Sequence, residues 1–222
     1  MDANQLWILN FHGIGDLSET IPSDERPVWV ELGHFEDALA AFGERTDVRF
    51  TFDDGNASDA ELALPRLAER GLCASFFPCA GRIDEKGYCS AAQLRALADA
   101  GMTIGSHGWD HRPWRGLRGA ALDRELAEAR ARLQDVTGQP VDTAACPFGA
   151  YDRRVLDALS EAGFSRVYTS DGGPARAEGW LQARLTVKAG EGPERIERRI
   201  AEARRPVAHA ARRVRGLLKR LR

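Results

Sequence analysis

The sequence has four cysteines and no C-x-x-C pair among them, so a cysteine-built zinc site has no framework here. Cys73, Cys79, Cys89 and Cys146 read instead as reduced thiols, with Cys73 and Cys146 near strand cores. No stretch is apolar enough over about 20 residues to span a bilayer. The opening MDANQLWILNFHGIG has no basic region ahead of its short apolar run, so a secretory signal is not expected and the expected compartment is the cytoplasm. No G-x-G-x-x-G opens the first helical pattern, which leaves a dinucleotide site without support. Internal repeats and low-complexity linkers are missing too. An excess of one charge is also lacking: 31 Lys and Arg against 33 Asp and Glu give a net charge of -2, which offers no global argument for nucleic acid. That balance hides an asymmetry. From residue 203 to 222 there are eight Lys and Arg and no Asp or Glu, which leaves the rest of the chain near -10.

What is present is ordinary material for a globular domain: 222 residues, 43% hydrophobic and 29% charged, enough for one sizeable core. Short apolar runs alternate with helical patterns almost throughout. Strands are expected over 6–11, 48–52, 74–77, 103–106, 143–146, 166–169 and 181–187. Helices are expected over 35–42, 57–70, 91–100, 120–136 and 153–162, and from Pro193 onward. The helix at 57–70 must accommodate Pro65, while Gly138 and Gly163 close two others. This alternation implies an α/β protein with a parallel sheet and crossover helices. Seven or eight such units favour a closed or nearly closed barrel over an open doubly wound sheet. One domain is expected over 1–200, with a basic tail over 201–222. In such barrels the chemistry sits where strands end. The polar residues at those ends are His12, Asp53 with Asp54, His107, the stretch 147–151, and Asp171.

RFTFDDGNAS, residues 49–58, ends an alternating run with two adjacent carboxylates. Like charges that close raise each other's pKa, and a turn needs only one Asp before its Gly. A cation held between the carboxylates and other ligands would remove the conflict. GSHGWDH supplies candidates, since His107 and His111 stand four apart. On a helical turn that spacing puts two imidazoles on one face. Two His and one carboxylate leave a coordination position open, as a catalytic rather than a structural zinc requires. One Asp of the pair would bind the ion, and its neighbour would hold a proton as general base. Taken singly, DDG reads as a turn and H-x-x-x-H as surface histidines. Together, at strand ends of one alternating chain, they point to metal-assisted hydrolysis.

TFDDG at 51–55 and SHGWDH at 106–111 resemble the first two motifs of the polysaccharide deacetylase family, the NodB-homology carbohydrate esterases of family 4. CPFGAYD at 146–152 resembles the third. The spacing fits as well, and the similarity runs over roughly 6–187 by motif order. The resemblance implies a distorted (β/α)7-8 barrel of the NodB-homology type with an Asp-His-His metal site. By motif position, Asp53 is the general base and Asp54, His107 and His111 are the ligands. The usual ion is Zn²⁺, although the same ligands accept Co²⁺ or another divalent ion. The implied reaction removes an acetyl group from an N-acetylated sugar of a polysaccharide, oligosaccharide or lipid-linked saccharide. Two readings compete with it: an O-acetyl esterase of the same fold, and a catalytically degenerate glycan-binding homologue.

Two departures from the family pattern matter. The third motif usually carries an Arg two residues before its Pro, where it holds the catalytic Asp; here that position is Ala145. The usual late Leu-x-His is missing, and after His111 the only histidine is His209. His12, in LNFHGIG, is the candidate for one role. In the branch resembling the poly-N-acetylglucosamine deacetylases an N-terminal motif supplies such a histidine, which implies His12 as general acid. Arg184, in ARLTV, looks like the Arg that this branch carries on a late strand and would pair with Asp53. Phe148 and Gly149 are expected to shape the oxyanion side of the pocket, with Tyr151 beside them unless it only starts a helix. Trp109 and Trp114 flank the histidines and are candidates for stacking on sugar rings or for packed core. Asp171, in SDGGP, is a candidate for orienting a catalytic partner or for a simple turn.

In the tail, Val207, Ala211, Val214, Leu218 and Leu221 recur at helical spacing, with Arg and Lys on the other face. That pattern suits a basic helix lying on an anionic membrane surface, or one packed on the barrel. Aromatics do not interleave with the basic residues, so a nucleic-acid role has no support. Oligomeric state is not legible in the sequence.

Overall fold

Alternation along QLWILNF decides which way each side chain faces. The computed structural model describes residues 4–17, 21, 23, 25–205, 216 and 219, and places this run in β1 (Gln5–Phe11). Trp7, Leu9 and Phe11 join the core under the outer helices, while Ile8 and Asn10 turn to the interior. The first helix, α1 (Leu32–Phe42), buries Phe35, Ala38, Leu39 and Phe42 at helical spacing. In β2 (Val48–Asp54) the period of two continues: Val48, Phe50 and Phe52 face outward, and Thr51 and Asp53 face inward. Phe35 meets Phe11 edge-on with ring centroids 5.2 Å apart. Phe52 stacks on Phe76 of β3 (Ala74–Pro78) at 4.5 Å. These rings fill the space between strands and helices and fix the register that sends Asp53 inward.

Between β2 and β3 lies a helix whose first turn, Asp59–Ala63, is wide, continuing as α2 (Leu64–Glu69). Pro65 has no N–H to donate, and the widened turn is where the helix absorbs that loss. α3 (Ala91–Asp99) opens on a capping box in which Ser90 and Gln93 bond each other's backbone. β4 (Thr103–Ile104) follows, then α4 (Ala120–Asp123), a second wide turn at Arg124–Glu128, and α5 (Ala129–Thr137), which Gly138 ends at φ +68°. Next come β5 (Thr143–Ala145), α6 (Arg153–Glu161) capped by Asp152, and β6 (Arg166–Thr169). β7 (Ala175–Arg176), β8 (Leu181–Ala183) and β9 (Leu185–Thr186) precede α7 (Pro193–Ala203).

The parallel pairs run β1–β2–β3–β4, and a bridge between Ser106 and Ala144 carries the order to β5. β5 pairs with β6, β6 with β8, and β9 with β1. Residues 181–187 were expected as a single strand. They form two pieces instead, because the chain leaves β6 and joins β1 at Arg184. That crossing closes a ring of seven positions, a distorted α/β barrel as expected. β7, which lies antiparallel to the start of β1, is too short to be seen in the sequence.

All four cysteines are free thiols. Cys146 is buried as expected, but Cys73 is exposed, because it precedes β3 on the loop instead of sitting in it. Among the described residues no helix is long and apolar enough to cross a membrane. The amphipathic helix expected over 204–222 lies outside the described residues, apart from Arg204, Arg205, Gly216 and Lys219.

Asp59, in the wide turn before α2, is buried, and neither carboxylate oxygen has a hydrogen-bond partner among the described residues. Burial, and then the charges of Asp54 and Asp53, push its carboxyl well above the usual range. The folded state therefore holds this proton more tightly than the unfolded chain does. Stability is lost as pH rises past the ordinary carboxylate value, about 3.9. Asp59→Asn removes that loss. In metal-free protein the variant is expected to melt several degrees above the wild type at pH 8, with the gap closing at pH 4. A lower melting temperature at pH 8 would show that the ionised carboxylate is stabilising.

Candidate functional site

The ends of β1, β2 and β4 and the Arg184 crossing deliver six titratable groups to one place. Asp54 closes β2 at φ +75°, a conformation that strains any side chain with a Cβ. Gly55 follows it, where a Cβ would stand 2.6 Å from Pro78 Cβ, so only glycine lets β2 turn against β3. The turn aims the Asp54 carboxylate at two imidazoles. Its Oδ1 lies 3.1 Å from His111 Nε2 and 3.6 Å from His107 Nε2, without hydrogen-bond geometry to either. His107 Nδ1 donates to the Ala145 carbonyl at 2.8 Å, which leaves the Nε2 lone pair facing Asp54. Ligand atoms of Asp54, His107 and His111 all lie within 4.8 Å of one another.

Burial pushes the Asp54 carboxyl up to about 6; His12 opposes the shift and the neighbouring Asp53 charge adds to it. Burial likewise pushes the His107 imidazole down to about 3, against the pull of Asp53. A buried carboxylate without donors facing two imidazole nitrogens is a cation site in waiting, and two nitrogens plus one oxygen fit a divalent metal. His107 and His111 do not share a helix face, as their spacing had implied. Residues 107–111 form a loop in which Gly108 sits at φ +84° and His111 at φ +52°.

Asp53 is in the opposite state. Arg184 Nη1 and Nη2 donate to its two oxygens at 2.7 and 2.6 Å, and Asn10 Nδ2 donates to Oδ2 at 2.9 Å. Asn10 Oδ1 in turn accepts from Arg184 and from Thr51 Oγ1, both at 2.8 Å. The guanidinium is fully buried between the rings of Phe77 and Tyr168, 5.5 and 5.8 Å from their centroids. Ala145 packs in the same cluster as those two rings. Burial alone would raise the Asp53 carboxyl, but Arg184 and then His107 hold it far below the usual range. His12 Nε2 and His107 Nε2 approach Asp53 Oδ2 at 4.0 and 3.9 Å.

Of the other candidates, Phe148 lies on the rim, 58% exposed at φ +58°, with its ring 4.5 Å from that of His111. Gly149 is buried at φ +59° against Ser170. Trp109 is half-buried beneath the Arg124 guanidinium. Trp114 is wholly buried, with its indole N–H on Glu125 at 3.3 Å, so it packs core and cannot stack on a sugar. Tyr151 is also buried, and its hydroxyl donates to Asp171 at 2.7 Å, so it supports the third motif from beneath and presents no face to a ligand. Asp171 also accepts from Thr169 Oγ1 and from Lys219 Nζ; it orients Tyr151 and no group of the Asp53–Asp54 cluster.

Three participants were missed in the sequence: Asn10, Arg82 and Glu125. Arg82 Nη2 lies 3.3 Å from His111 Nδ1, and its Nη1 donates to Glu25 Oε1 at 3.3 Å. Glu125, in the wide turn between α4 and α5, is buried and accepts the backbone N–H groups of Trp109 and Asp110 at 2.8 and 3.1 Å. A Cβ on Gly108 would stand 2.2 Å from its Oε2. This carboxylate therefore clamps the loop that carries both histidines. Glu125→Ala leaves the Trp109 and Asp110 N–H groups without their acceptor and is expected to weaken divalent-metal binding about 10–100-fold in a chelator competition. Unchanged affinity would show that the loop holds its shape without the clamp.

The polysaccharide deacetylase family profile matches residues 43–167. The Bacillus subtilis (strain 168) protein YxkH, whose name places it among polysaccharide deacetylases, is 27% identical over 145 residues. That alignment covers 65% of this chain and 52% of YxkH, so the chain spans about half the length of this relative. Among solved structures, the Streptococcus pyogenes deacetylase PplD superposes with a TM-score of 0.76 at 18% identity, over 88% of this chain and 98% of PplD. IcaB from Ammonifex degensii gives 0.73 at 21% identity, over 91% and 98%. At these identities the two structures establish a shared fold.

Proposed function

The chain belongs to the polysaccharide deacetylase family, and from that premise we propose that it is a metal-dependent hydrolase removing an acetyl group from an N-acetylated sugar. The observation that carries this reading is the division of labour between two adjacent carboxylates. Asp54 faces two imidazole nitrogens with no donor of its own, while Asp53 has its charge balanced by Arg184. Asp54, His107 and His111 would hold the ion, and their nitrogen and oxygen donors suit Zn²⁺, with Co²⁺ accepted by the same set. When bound, such an ion supplies Lewis-acid activation of the acetyl carbonyl and of water.

The remaining work falls to side chains. Asp53 takes the proton of the attacking water as general base. Arg184 and Asn10 fix the plane of its carboxylate and keep it ionised, at the cost of some basicity. His12, 4.0 Å from Asp53 Oδ2 and partly open to solvent, protonates the departing nitrogen. Water adds to the carbonyl carbon, the C–N bond breaks, and acetate and an amine leave. Phe148 and Gly149 border the oxyanion side. The substrate is a polysaccharide, oligosaccharide or lipid-linked saccharide. Four unpaired thiols support a reducing, cytoplasmic setting, with the basic stretch 204–222 resting on an anionic membrane face.

The test is acetate release with zinc stripped and restored, from N-acetylated oligosaccharides, a lipid-linked N-acetyl sugar and an O-acetyl ester. Zinc-dependent acetate from an amide is expected, and His12→Ala should lose most of that rate while still binding zinc. Acetate from the ester alone would make the protein an esterase. No acetate with one zinc bound per chain would make it a glycan-binding homologue.

A further inference from the structure

The tight turn Pro147–Gly149, which carries Phe148, places two successive residues at positive φ, Phe148 at +58° and Gly149 at +59°. A side chain with a Cβ is strained there, and such strain persists only where the surroundings over-determine the backbone. Two backbone bonds close the turn on itself: Gly149 N–H to the Cys146 carbonyl at 2.9 Å and Ala150 N–H to the Pro147 carbonyl at 3.0 Å. The Arg115 N–H holds the Ala150 carbonyl at 3.1 Å. The Gly149 carbonyl is taken up from much farther along the chain. Lys219 Nζ donates to it at 2.9 Å across 70 residues.

The same ammonium pairs with Asp171 Oδ1 and stands 4.9 Å over the ring of Tyr151. Asp171 Oδ2 accepts from Tyr151 at 2.7 Å and from Thr169, the last residue of β6, at 2.9 Å. One cation therefore joins the turn, the tyrosine that follows it and the end of a barrel strand. The Lys219 side chain is 30% exposed and that of Asp171 23%, so water screens the pair only in part. A neutral side chain of similar length would leave both the Gly149 carbonyl and Asp171 Oδ1 without this donor. Among the described residues the ammonium bonds to Gly149 and Asp171 and to no group of the Asp53–Asp54 cluster. Its influence on that cluster runs through the turn, because Phe148 sets its ring 4.5 Å from that of His111.

We propose that Lys219 is a positioning residue: it straps the turn at 147–149 to the end of β6 and so sets Phe148 and Gly149 on the oxyanion side, which makes a residue near the C-terminus part of the site. The role in turnover rests on the deacetylase reading; the strap does not. The test compares the full-length wild type with Lys219→Met and Lys219→Arg. In metal-free protein, amide hydrogen exchange at Gly149 and Ala150 should be about tenfold faster in the Met variant, as loss of one hydrogen bond to a charged group allows. The Trp109 and Asp110 amides, which Glu125 holds, should exchange as in the wild type. Arginine keeps the charge and the donors and should restore slow exchange. In acetate release at saturating zinc, Lys219→Met should lower kcat about tenfold and leave KM within about twofold, because the oxyanion side is used in the transition state. Lys219→Arg should recover most of that loss. Unchanged exchange at Gly149 and Ala150 in the Met variant overturns the strap, and so does exchange that rises throughout the protein, which would make Lys219 a general stabiliser. Faster exchange at the turn with unchanged kcat overturns the positioning role and leaves the deacetylase standing. No acetate from the wild type on any substrate would sink the deacetylase reading and the role in turnover with it, while the exchange rates would still decide the strap.

Discussion

Asp53→Asn is expected to lower acetate release by about 10²–10⁴-fold while leaving metal content unchanged. The amide keeps the shape of the carboxylate but cannot take a proton from water. The three candidate ligands are not touched, because Asp54 points at the imidazoles while Asp53 is turned inward to Arg184. The measurement pairs an acetate assay at saturating zinc with metal analysis of the same sample. A rate near that of the wild type would remove Asp53 from proton transfer. Loss of metal together with activity would make it a ligand, and the two neighbours would have to exchange roles.

Arg184→Met is expected to cost about 3–5 kcal/mol of stability, because it leaves Asp53 buried without its counter-charge. Methionine fills the slot between Phe77 and Tyr168 but donates nothing. The pH dependence identifies the cause. In the wild type the Asp53 carboxyl is held below its unfolded value, so the native state binds fewer protons. The stability this contributes is complete above the unfolded value, about pH 4, and is lost as pH falls through the folded value. Without Arg184 the carboxyl rises with burial, and the sign reverses: the variant loses stability as pH increases above about 4. Urea unfolding of metal-free protein at pH 4 and pH 7 reads this directly. The gap between wild type and variant should be widest at pH 7. Adding Asp53→Asn to Arg184→Met should return part of the loss, since the pair is then removed together. An Arg184→Met protein as stable as the wild type at pH 7 would mean that the ion pair carries no weight.

The residues that hold charge were the most legible. Asp53 and Asp54 stood out because two adjacent carboxylates at a strand end need a reason. Arg184 was legible only through the family resemblance, which places an Arg on a late strand. What could not be read was direction. Trp114 and Tyr151 sit among motif residues, and nothing in their spacing says that both face the core. Glu125 lies in a helix with charges on nearly every turn, where one more Glu looks solvated; only the wide turn rotates it inward. The helical pairing of His107 and His111 failed at Gly108, whose positive φ starts a loop that brings the imidazoles together by another route. The split at Arg184 was hidden because its two pieces join into a run that reads as one strand.

The position of Arg184 has a further consequence for synthesis. A chain leaves the ribosome from its N-terminus, and 131 residues separate Asp53 from the guanidinium that balances it. A nascent chain halted before residue 181 already contains all three candidate ligands, but neither the last piece of the ring nor the cation for Asp53. Such an intermediate could collect an ion without being able to set its base. The segment that shuts the barrel is the one that brings the counter-charge to Asp53, so the carboxylate is balanced only when the fold is complete.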